Sequence, residues 1–219
     1  MNPEVIREYL PLYKEAFILT LKTGWIGIAL AFAIGIFVAF VMHFRVPVLS
    51  KIASVYVELF RNTPLLVQLF FIYFALPKIG LSISAETCGA VGLGLLGGSY
   101  MAEGIRSGLD AVPVSQEESA LVLGLSKRQL FTYVVFPEAL SISIPAIVAN
   151  VIFLLKETSV FSAISLMDLM FTAKDLIGLY YDTTEALVLL VVFYIIMLLP
   201  VSILGSLIEK RVRLRTLGG

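Results

Sequence analysis

Residues 23–42 have the sequence TGWIGIALAFAIGIFVAFVM, an uninterrupted run of side chains without a formal charge. A helix needs about 20 mostly apolar residues to cross the roughly 30 Å hydrocarbon core of a bilayer. Lys22 precedes the run, and His43 and Arg45 follow it, so charges flank it on both sides. This stretch therefore predicts a helix that spans a membrane.

The composition of the whole chain also indicates a membrane protein. Of its 219 residues, 59% are hydrophobic and 15% are charged, and the mean hydropathy is +0.97. An average soluble domain carries about 25% charged residues, and so apolar a chain is neither disordered nor able to cover its surface with polar groups. A net charge of +0 argues against nucleic-acid binding. With Cys88 and His43 as the single residues of their types, no metal site is predicted.

Four more stretches of low charge predict further spans, at about residues 53–77, 86–105, 129–155 and 186–208. The third span is rich in glycine, which allows close helix packing in lipid. Pro137 and Pro145 predict a kink in the fourth. We therefore expect an all-α integral membrane protein with about five transmembrane helices in one domain over residues 1–219.

The distribution of basic residues predicts the orientation. An odd number of spans places the two termini on opposite sides of the membrane. Lys and Arg are more numerous in the loops that lie inside when the C-terminus is cytoplasmic. Because cytoplasmic loops carry an excess of basic residues, we expect the N-terminus outside and the C-terminus inside.

The loop between spans three and four, residues 112–129, has the sequence VPVSQEESALVLGLSKRQ. It contains two patterns of the capping-box type, in which a serine begins a helix and a Glu or Gln follows three residues later. Gly124 is typical of the end of a helix. The loop therefore predicts a short helix, a stop, and a new helix that leads into span four. The capping residues are Ser115 with Glu118, and Ser126 with Gln129.

A helix this short is not stable alone in water, so it must pack on a surface. Its apolar residues, Ala120, Leu121, Leu123 and Leu125, require a partner. The residues alone leave two interpretations open. The helix lies on the membrane face, or it sits in a groove of a soluble partner protein.

The same loop resembles the EAA loop of permeases from ATP-binding-cassette importers. That loop has a glutamate and two alanines at a fixed distance before a glycine, with a proline at the start of the next membrane segment. Here these residues are Glu118, Ser119, Ala120, Gly124 and Pro137. The first alanine of the family is a serine in this chain, and Ser115 replaces the glycine that usually precedes the glutamine.

The resemblance extends over nearly the whole chain. Residues 56–68, YVELFRNTPLLVQ, resemble a segment typical of polar amino-acid permeases, as do residues 99–103, SYMAE, and residues 155–159, LKETS. The resemblance implies a permease subunit in the inner membrane of a bacterium, similar to histidine, glutamine and arginine permeases. Such a subunit forms the translocation path for a polar amino acid by alternating access.

The resemblance also implies partners: two ATPase subunits, a second permease subunit (identical or similar), and an extracytoplasmic substrate-binding protein. This chain has no phosphate-binding loop of the G-x-x-x-x-G-K-[ST] type. We therefore expect no cofactor and no enzymatic activity in this chain, with ATP and Mg²⁺ bound by the ATPase. The residues implied to couple to that ATPase are Ser115, Glu118, Ser119, Ala120 and Gly124.

Two groups of polar residues lie within or beside the predicted spans. Charged groups in hydrocarbon are costly unless paired or hydrated, which makes them candidates for function. Glu58 and Arg61 share one helix face and can form a pair. Together with Thr63 and Gln68, beside the bend expected at Pro64, they make a candidate lining of the translocation path. The alternative is an ion pair that only holds two helices together.

The second group lies at the end of span four and directly after it, and it consists of Asn150, Lys156, Glu157, Thr158 and Ser159. A zwitterionic amino acid needs a cation for its carboxylate and an anion for its ammonium group, and both groups of residues offer both signs. The alternative is that Lys156 extends to the membrane interface as an anchor. The resemblance favours binding, because this region lines the path in related permeases.

Two other functions remain to be compared with this interpretation. An ion channel or ion-coupled carrier would transport without an ATPase, and the capped docking helix argues against it. A non-transporting assembly subunit of a membrane enzyme would use the charged residues only for packing. A membrane enzyme is a further alternative. The sequence argues against it, because it shows neither a nucleophile paired with a base nor a group of metal-binding residues.

Overall fold

A computed structural model of the protein describes residues 2–216, with side chains for residues 2–212, and this part of the chain is helical without a strand. Helices suit an apolar environment because they satisfy their backbone hydrogen bonds internally. The fold class predicted from the sequence is therefore confirmed. The α-helices are α1 (Pro3–His43), α2 (Leu49–Arg61), α3 (Leu65–Phe70), α4 (Ala85–Asp110), α5 (Val114–Val122), α6 (Lys127–Leu130), α7 (Phe136–Glu157), α8 (Leu169–Tyr180) and α9 (Thr183–Thr216).

Helix α1 has 41 residues and is much longer than the predicted span 23–42. The side chain of Asn2 caps it by accepting a hydrogen bond from the Glu4 backbone N–H at 3.0 Å. Its first turns pack against α8 and α9, where the buried Tyr13 hydroxyl donates to the Ala186 carbonyl at 2.6 Å. The acidic stretch before the span is therefore part of the same helix, because tertiary contacts hold it there.

Helix α4 corresponds to the glycine-rich third span and lies against α1, α2 and α7. Its glycines permit a very close approach of neighbouring backbones. A Cβ atom at Gly97 would lie 2.7 Å from the Cβ of Ala31 in α1 and 2.6 Å from Cδ1 of Leu154 in α7. A Cβ atom at Gly27 of α1 would lie 2.9 Å from the Cβ of Leu93 in α4.

The predicted second span is broken into two helices. Helix α2 ends at Arg61, α3 begins at Leu65, and the helix directions differ by 104°. Pro64 between them lacks a backbone N–H, and it has an extended conformation with φ −59° and ψ 141°. The predicted bend is confirmed, but it is sharp enough for a re-entrant turn as well as for a broken span.

The fourth span is one run of helical turns from Lys127 to Ile164, so Pro137 and Pro145 do not interrupt it. A π-helical turn, Phe131–Val135, precedes α7 within this run, and the Phe136 N–H donates to the Phe131 carbonyl five residues earlier. Pro137 follows directly, so its missing N–H falls where the helix changes its hydrogen-bond register. A similar π-helical turn, Phe71–Ala75, follows α3, and a 3₁₀ turn that contains a proline comes next.

By length and composition, three helices within residues 2–212 are candidate spans, and a fourth is added if α2 and α3 count as one. The remaining predicted span, the third, corresponds to α4, whose glycines and polar side chains lower its hydropathy. With 26 residues it is about 39 Å long, enough to cross the hydrocarbon core. The count of five spans and the orientation stay predictions.

The contact of α1, α4 and α7 at Gly97 leads to a testable expectation. Replacing this glycine by alanine places a Cβ against Ala31, whose own Cβ cannot move without the helix. We expect Gly97→Ala to destabilise the folded protein by about 1–3 kcal/mol, because overpacking forces helices apart. The measurement is the thermal unfolding midpoint in detergent.

Gly178→Ala is the matched control, because a Cβ at this helical position meets no atom within 4 Å. There the substitution should leave the midpoint unchanged or raise it slightly, since alanine favours helix. Equal midpoints for Gly97→Ala and the unmodified protein would contradict close packing at α4.

Candidate functional site

Polar side chains complete the hydrogen bonds at the break between α2 and α3. The Gln68 amide, which is 7% exposed, donates to the carbonyls of Phe60 at 3.1 Å and Thr63 at 2.9 Å. The Thr63 hydroxyl donates to the Leu59 carbonyl at 2.7 Å. These bonds satisfy backbone groups that a helix end leaves open. Gln68 and Thr63 thus stabilise the break. Because the helix is interrupted between Arg61 and Gln68, helical spacing does not place these two side chains on one face.

Arg61 does not pair with Glu58, so the predicted pair is wrong. The Arg61 guanidinium lies 3.7 Å from a Glu103 carboxylate oxygen of α4 and 5.3 Å from the centre of the Tyr100 ring. Glu58 instead accepts a hydrogen bond from the Asn62 amide at 3.2 Å. The spacing in α2 permits the pair, but the neighbouring helix supplies another carboxylate.

Charged residues of alternating sign follow one face of α4 near its C-terminal end. Glu103 accepts from Arg106 at 2.6 Å, and Arg106 also donates to Asp110 at 3.0 Å. Asp110 lies 2.9 Å from Nδ1 of His43 at the end of α1. With Arg61, these residues form a row of ion pairs that joins α1, α2 and α4. We call it the charged row. The three-residue spacing of Glu103 and Arg106 on one helix permits their pair, but the sequence gave no signal for the contacts between helices.

The residues predicted after span four have different environments. The Asn150 amide donates to the Tyr100 carbonyl at 3.1 Å and joins α7 to α4. Lys156 is exposed, Glu157 and Ser159 are half-buried, and Thr158 is buried with its hydroxyl bonded to the Leu155 carbonyl at 2.7 Å. These five residues lie along one continuous helical segment, Lys127–Ile164.

Asp168 is a buried polar residue that the sequence interpretation did not single out. Its side chain is 0% exposed, and one carboxylate oxygen accepts from the Phe171 N–H at 2.9 Å as the N-cap of α8. The other oxygen has no hydrogen-bond partner among the described residues. Burial raises the pKa of this carboxyl group from 3.8 to about 7. An aspartate just before an apolar helical run is the signal that predicts a cap.

Helix α5, in the loop between α4 and α6, has its N-cap two residues earlier than predicted. Pro113 occupies the N-cap position, and no side chain caps the helix. The capping box of Ser115 with Glu118 is therefore wrong. Pro113 is extended, with φ −64° and ψ 130°, and this conformation sets the start of the helix before Ser115. The Ser119 hydroxyl instead donates to the Ser115 carbonyl at 2.7 Å.

The end of α5 and the start of α6 agree with the sequence. Gly124 has φ +83°, a conformation that favours glycine, and its N–H donates to the Leu121 carbonyl at 3.0 Å. The Leu125 N–H donates to the Ala120 carbonyl at 3.2 Å, which completes a Schellman motif. The capping box of Ser126 with Gln129 is confirmed. The chain thus turns rigidly from α5 into α6.

One face of α5 packs on its own chain and another is open. Ala120 is buried in a small cluster formed with residues of α4, α6 and α7. The Gln116 amide donates to the Glu138 carboxylate of α7 at 3.0 Å. Val122 and Leu123, by contrast, are 87% and 80% exposed. An apolar surface of this kind, next to a fixed turn, is suited to docking a partner.

Comparison with known proteins identifies the class to which this fold belongs. A family model described as "Binding-protein-dependent transport system inner membrane component" matches residues 12–214. The chain therefore belongs to this family of membrane permeases.

Two relatives from Bacillus subtilis (strain 168) illustrate the similarity. The probable glutamine ABC transporter permease protein GlnP is 37% identical over 172 residues, which cover 78% of this chain and 79% of the relative. The probable glutamine ABC transporter permease protein GlnM is 29% identical over 211 residues, with 96% of this chain and 98% of the relative covered.

Solved structures share the fold. A chain of the "Crystal structure of an amino acid ABC transporter with histidines" aligns with a TM-score of 0.89 and 33% identity, over 96% of this chain and 99% of that chain. A chain of the inward-facing methionine transporter MetNI aligns with a TM-score of 0.79 at 21% identity, which shows the fold alone.

This chain is thus a multi-pass permease subunit of an importer in the bacterial inner membrane, and it is not the ATPase. Permeases of this family work with an ATPase, a substrate-binding protein and a second permease subunit. The family and the role predicted from the sequence are confirmed. The ion channel and the assembly subunit are not favoured.

The buried Asp168 predicts a pH-dependent stability. Because the folded protein keeps this proton up to pH about 7 and the unfolded chain releases it near pH 3.8, the free energy of unfolding falls as pH rises between these values. The total loss is at most about 4 kcal/mol. Asp168→Asn removes the titrating group but keeps an N-cap acceptor. We expect this variant to show a weaker pH dependence of the unfolding midpoint between pH 5 and 8.

Asp175→Asn removes an exposed carboxylate from the same helix and serves as the control. Its midpoint should follow the pH dependence of the unmodified protein. If Asp168→Asn follows that dependence too, burial of the Asp168 carboxyl group does not limit stability.

Proposed function

We propose that this chain and a second permease subunit enclose the translocation path for a polar amino acid, which is opened alternately to the two sides by a cytoplasmic ATPase. The named cargo of two relatives is glutamine, and a similar solved structure is of an amino-acid transporter. The observation that carries the proposal is the exposed apolar surface of α5 beside a rigid turn.

Helix α5 has 9 residues, too few to be stable without support. Ala120 and Gln116 attach it to its own chain, while Leu121, Val122 and Leu123 remain exposed. Burial of these three side chains in a groove of the ATPase would stabilise a complex by about 1.5–3 kcal/mol for each fully buried side chain. We infer that this surface, with Glu118 and Gly124, receives the ATPase.

The contacts of α5 also provide a route for movement. The Gln116–Glu138 hydrogen bond links α5 to α7, and the Schellman turn at Gly124 links it to α6 without a flexible segment. Asn150 of α7 then bonds the Tyr100 carbonyl of α4. A displacement of α5 by the ATPase would therefore move the helices that carry the charged row, which is what alternating access requires.

We propose that the cargo passes beside the charged residues at the α2–α3 break. Arg61 is exposed and held between Glu103 and Tyr100, so its guanidinium is positioned to meet a carboxylate. Glu58 is exposed on the same helix and offers the opposite charge. The half-buried Glu157 and the exposed Lys156 provide the same two signs on another segment, with Asn150, Thr158 and Ser159 nearby in sequence.

The proposed assembly contains two permease subunits, two ATPase subunits and one extracytoplasmic binding protein. ATP and Mg²⁺ bind to the ATPase, and this chain holds no cofactor. A permease with so few spans is thin for enclosing a polar path alone, which supports the second permease subunit. The second permease subunit is either a copy of this chain or a different protein. Co-expression of this chain alone with the ATPase tests this, because an active transporter forms only if two copies of this chain suffice.

The docking surface on α5 gives a direct test. In the reconstituted complex we expect Leu123→Asp to lower substrate-stimulated ATP hydrolysis and uptake at least about tenfold, because a charge then enters an apolar contact. Since Leu123 is 80% exposed, the permease itself should fold and insert normally.

Leu81→Asp is the matched control, because Leu81 is 57% exposed and lies before α4, at the opposite end of that helix from α5. This variant should retain full coupling. Normal ATPase co-purification and uptake for Leu123→Asp would mean that α5 does not dock the ATPase.

The role of Arg61 is tested separately with a charge swap. We expect Arg61→Gln to reduce amino-acid uptake by proteoliposomes about tenfold or more, whereas Arg211→Gln, at an exposed site on α9, leaves uptake unchanged. The double variant Arg61→Glu with Glu103→Arg restores the ion pair between α2 and α4 in the reverse direction, while it removes the Glu103 partner of Arg106. Recovery of uptake in that double variant would show that the pair only supports the fold.

A further inference from the structure

The turn between α1 and α2 forms a cavity with α4, and Arg106 is the one lining residue that also belongs to the proposed transport path. Its volume is about 430 Å³, and its polar lining consists of Arg45, Ser50, Lys51, Ser54 and Arg106. We call this cavity the basic cleft. We propose that the basic cleft binds the phosphate group of an anionic phospholipid from the cytoplasmic leaflet.

The charge of the basic cleft comes from two unpaired cations. Arg106 is neutralised by Glu103 at 2.6 Å and by Asp110 at 3.0 Å. Arg45 and Lys51 have no carboxylate partner within residues 2–212. The two nearby acids are thus engaged by Arg106, so the charges of Arg45 and Lys51 in the cleft are left uncompensated. Two cations in one cleft can both donate hydrogen bonds to the oxygens of a singly charged phosphodiester.

The start of α2 adds to this positive charge. Ser50 lies in the first turn of the helix, which has no acidic residue, and a helix N-terminus carries a partial positive charge. The Ser54 hydroxyl donates to the Ser50 carbonyl at 3.0 Å, while the Ser50 hydroxyl has no hydrogen bond in the described part of the chain. A free hydroxyl beside two free cations is a donor for a phosphate oxygen.

The backbone of the turn is strained at two residues. Arg45 has φ +49° and Val48 has φ +65°, a conformation that is rare for a β-branched residue. Val48 is the centre of a γ-turn in which the Leu49 N–H donates to the Pro47 carbonyl at 2.8 Å. Strain of this kind persists where the surroundings enforce it, and it concentrates at binding sites.

The surroundings of the basic cleft favour a lipid over a soluble phosphate. Phe44, Val48, Ile52 and Val55 are 56%, 70%, 62% and 67% exposed. Ile52 and Val55 share one face of α2 and Val48 directly precedes the helix, so an apolar surface runs from the mouth of the cleft along the helix. A cationic pocket at the end of an apolar surface occurs where headgroups meet acyl chains.

The position of α5 indicates the side of the membrane on which the basic cleft lies. The basic cleft includes Arg106 near the end of α4, and α5 begins four residues after that helix ends. Because α5 faces the ATPase, the cleft lies at the cytoplasmic end of the bundle. This placement rests on the proposed docking of α5, whereas lipid binding itself does not depend on the cargo.

The test measures lipid retention by the intact complex of permease and ATPase. The complex in detergent is titrated with phosphatidylglycerol or phosphatidylcholine, and bound lipid is counted by native mass spectrometry. We expect Arg45→Gln with Lys51→Gln to weaken phosphatidylglycerol binding about fivefold for each charge removed, or roughly 25-fold together. Phosphatidylcholine binding should be unchanged.

Lys78→Gln with Lys174→Gln is the control, since it removes two exposed cations that lie outside the basic cleft. This control should retain phosphatidylglycerol as the unmodified complex does. Equal loss in the control, or no loss in the cleft variant, would overturn the proposal. Displacement of the lipid by millimolar inorganic phosphate would identify a soluble anion instead, and loss of the ATPase from the cleft variant would identify a protein contact.

Discussion

The close approach of α1 and α4 is the constraint on which the rest of the structure depends. Lipid tails are as apolar as leucine, so helices in a bilayer associate through van der Waals contact and hydrogen bonds rather than through the hydrophobic effect. Gly27, Gly35 and Gly97 remove the side chains that would keep these helices apart. In α4, the Leu95 carbonyl accepts a hydrogen bond from the Tyr56 hydroxyl of α2 at 2.6 Å. Helix α4 thus fixes where α1, α2 and α7 lie.

Polar groups are placed where this packing ends. The break at Pro64 leaves backbone carbonyls without helical partners. The side chains of Gln68, Thr63 and Asn62 donate hydrogen bonds to these carbonyls. A sharp turn is therefore tolerated in an apolar environment. The charged row follows the C-terminal end of α4, where each charge has an opposite neighbour. Pairing lowers the cost of these charges without burying them fully, so Arg61 and the half-buried Glu103 stay within reach of a passing zwitterion in the proposed path.

The cytoplasmic end combines a docking surface with a mechanical connection. Helix α5 is attached to the bundle by Ala120 and by the Gln116–Glu138 hydrogen bond, and it continues through the turn at Gly124 into α6. This arrangement transmits a push more faithfully than a flexible loop would, because each joint is a hydrogen-bonded motif. In the proposed cycle, the ATPase acts on α5 and the movement reaches the charged row through α7 and α4. Lipid in the basic cleft would hold the turn between α1 and α2 at the same end.

The sequence by itself determined the all-helical membrane fold, the apolar spans, the stop at Gly124 and the family, because these follow from composition, local periodicity and short motifs. It also located the break at Pro64, since proline acts on its own backbone. It did not determine the partner of Arg61, the start of α5 or the environment of Asp168. The α2 spacing allowed Glu58 as a partner, and two helices meeting in space supplied Glu103 instead. Only the tertiary structure decided these contacts, because they join residues far apart in the chain, and local spacing carries no information about which helices become neighbours.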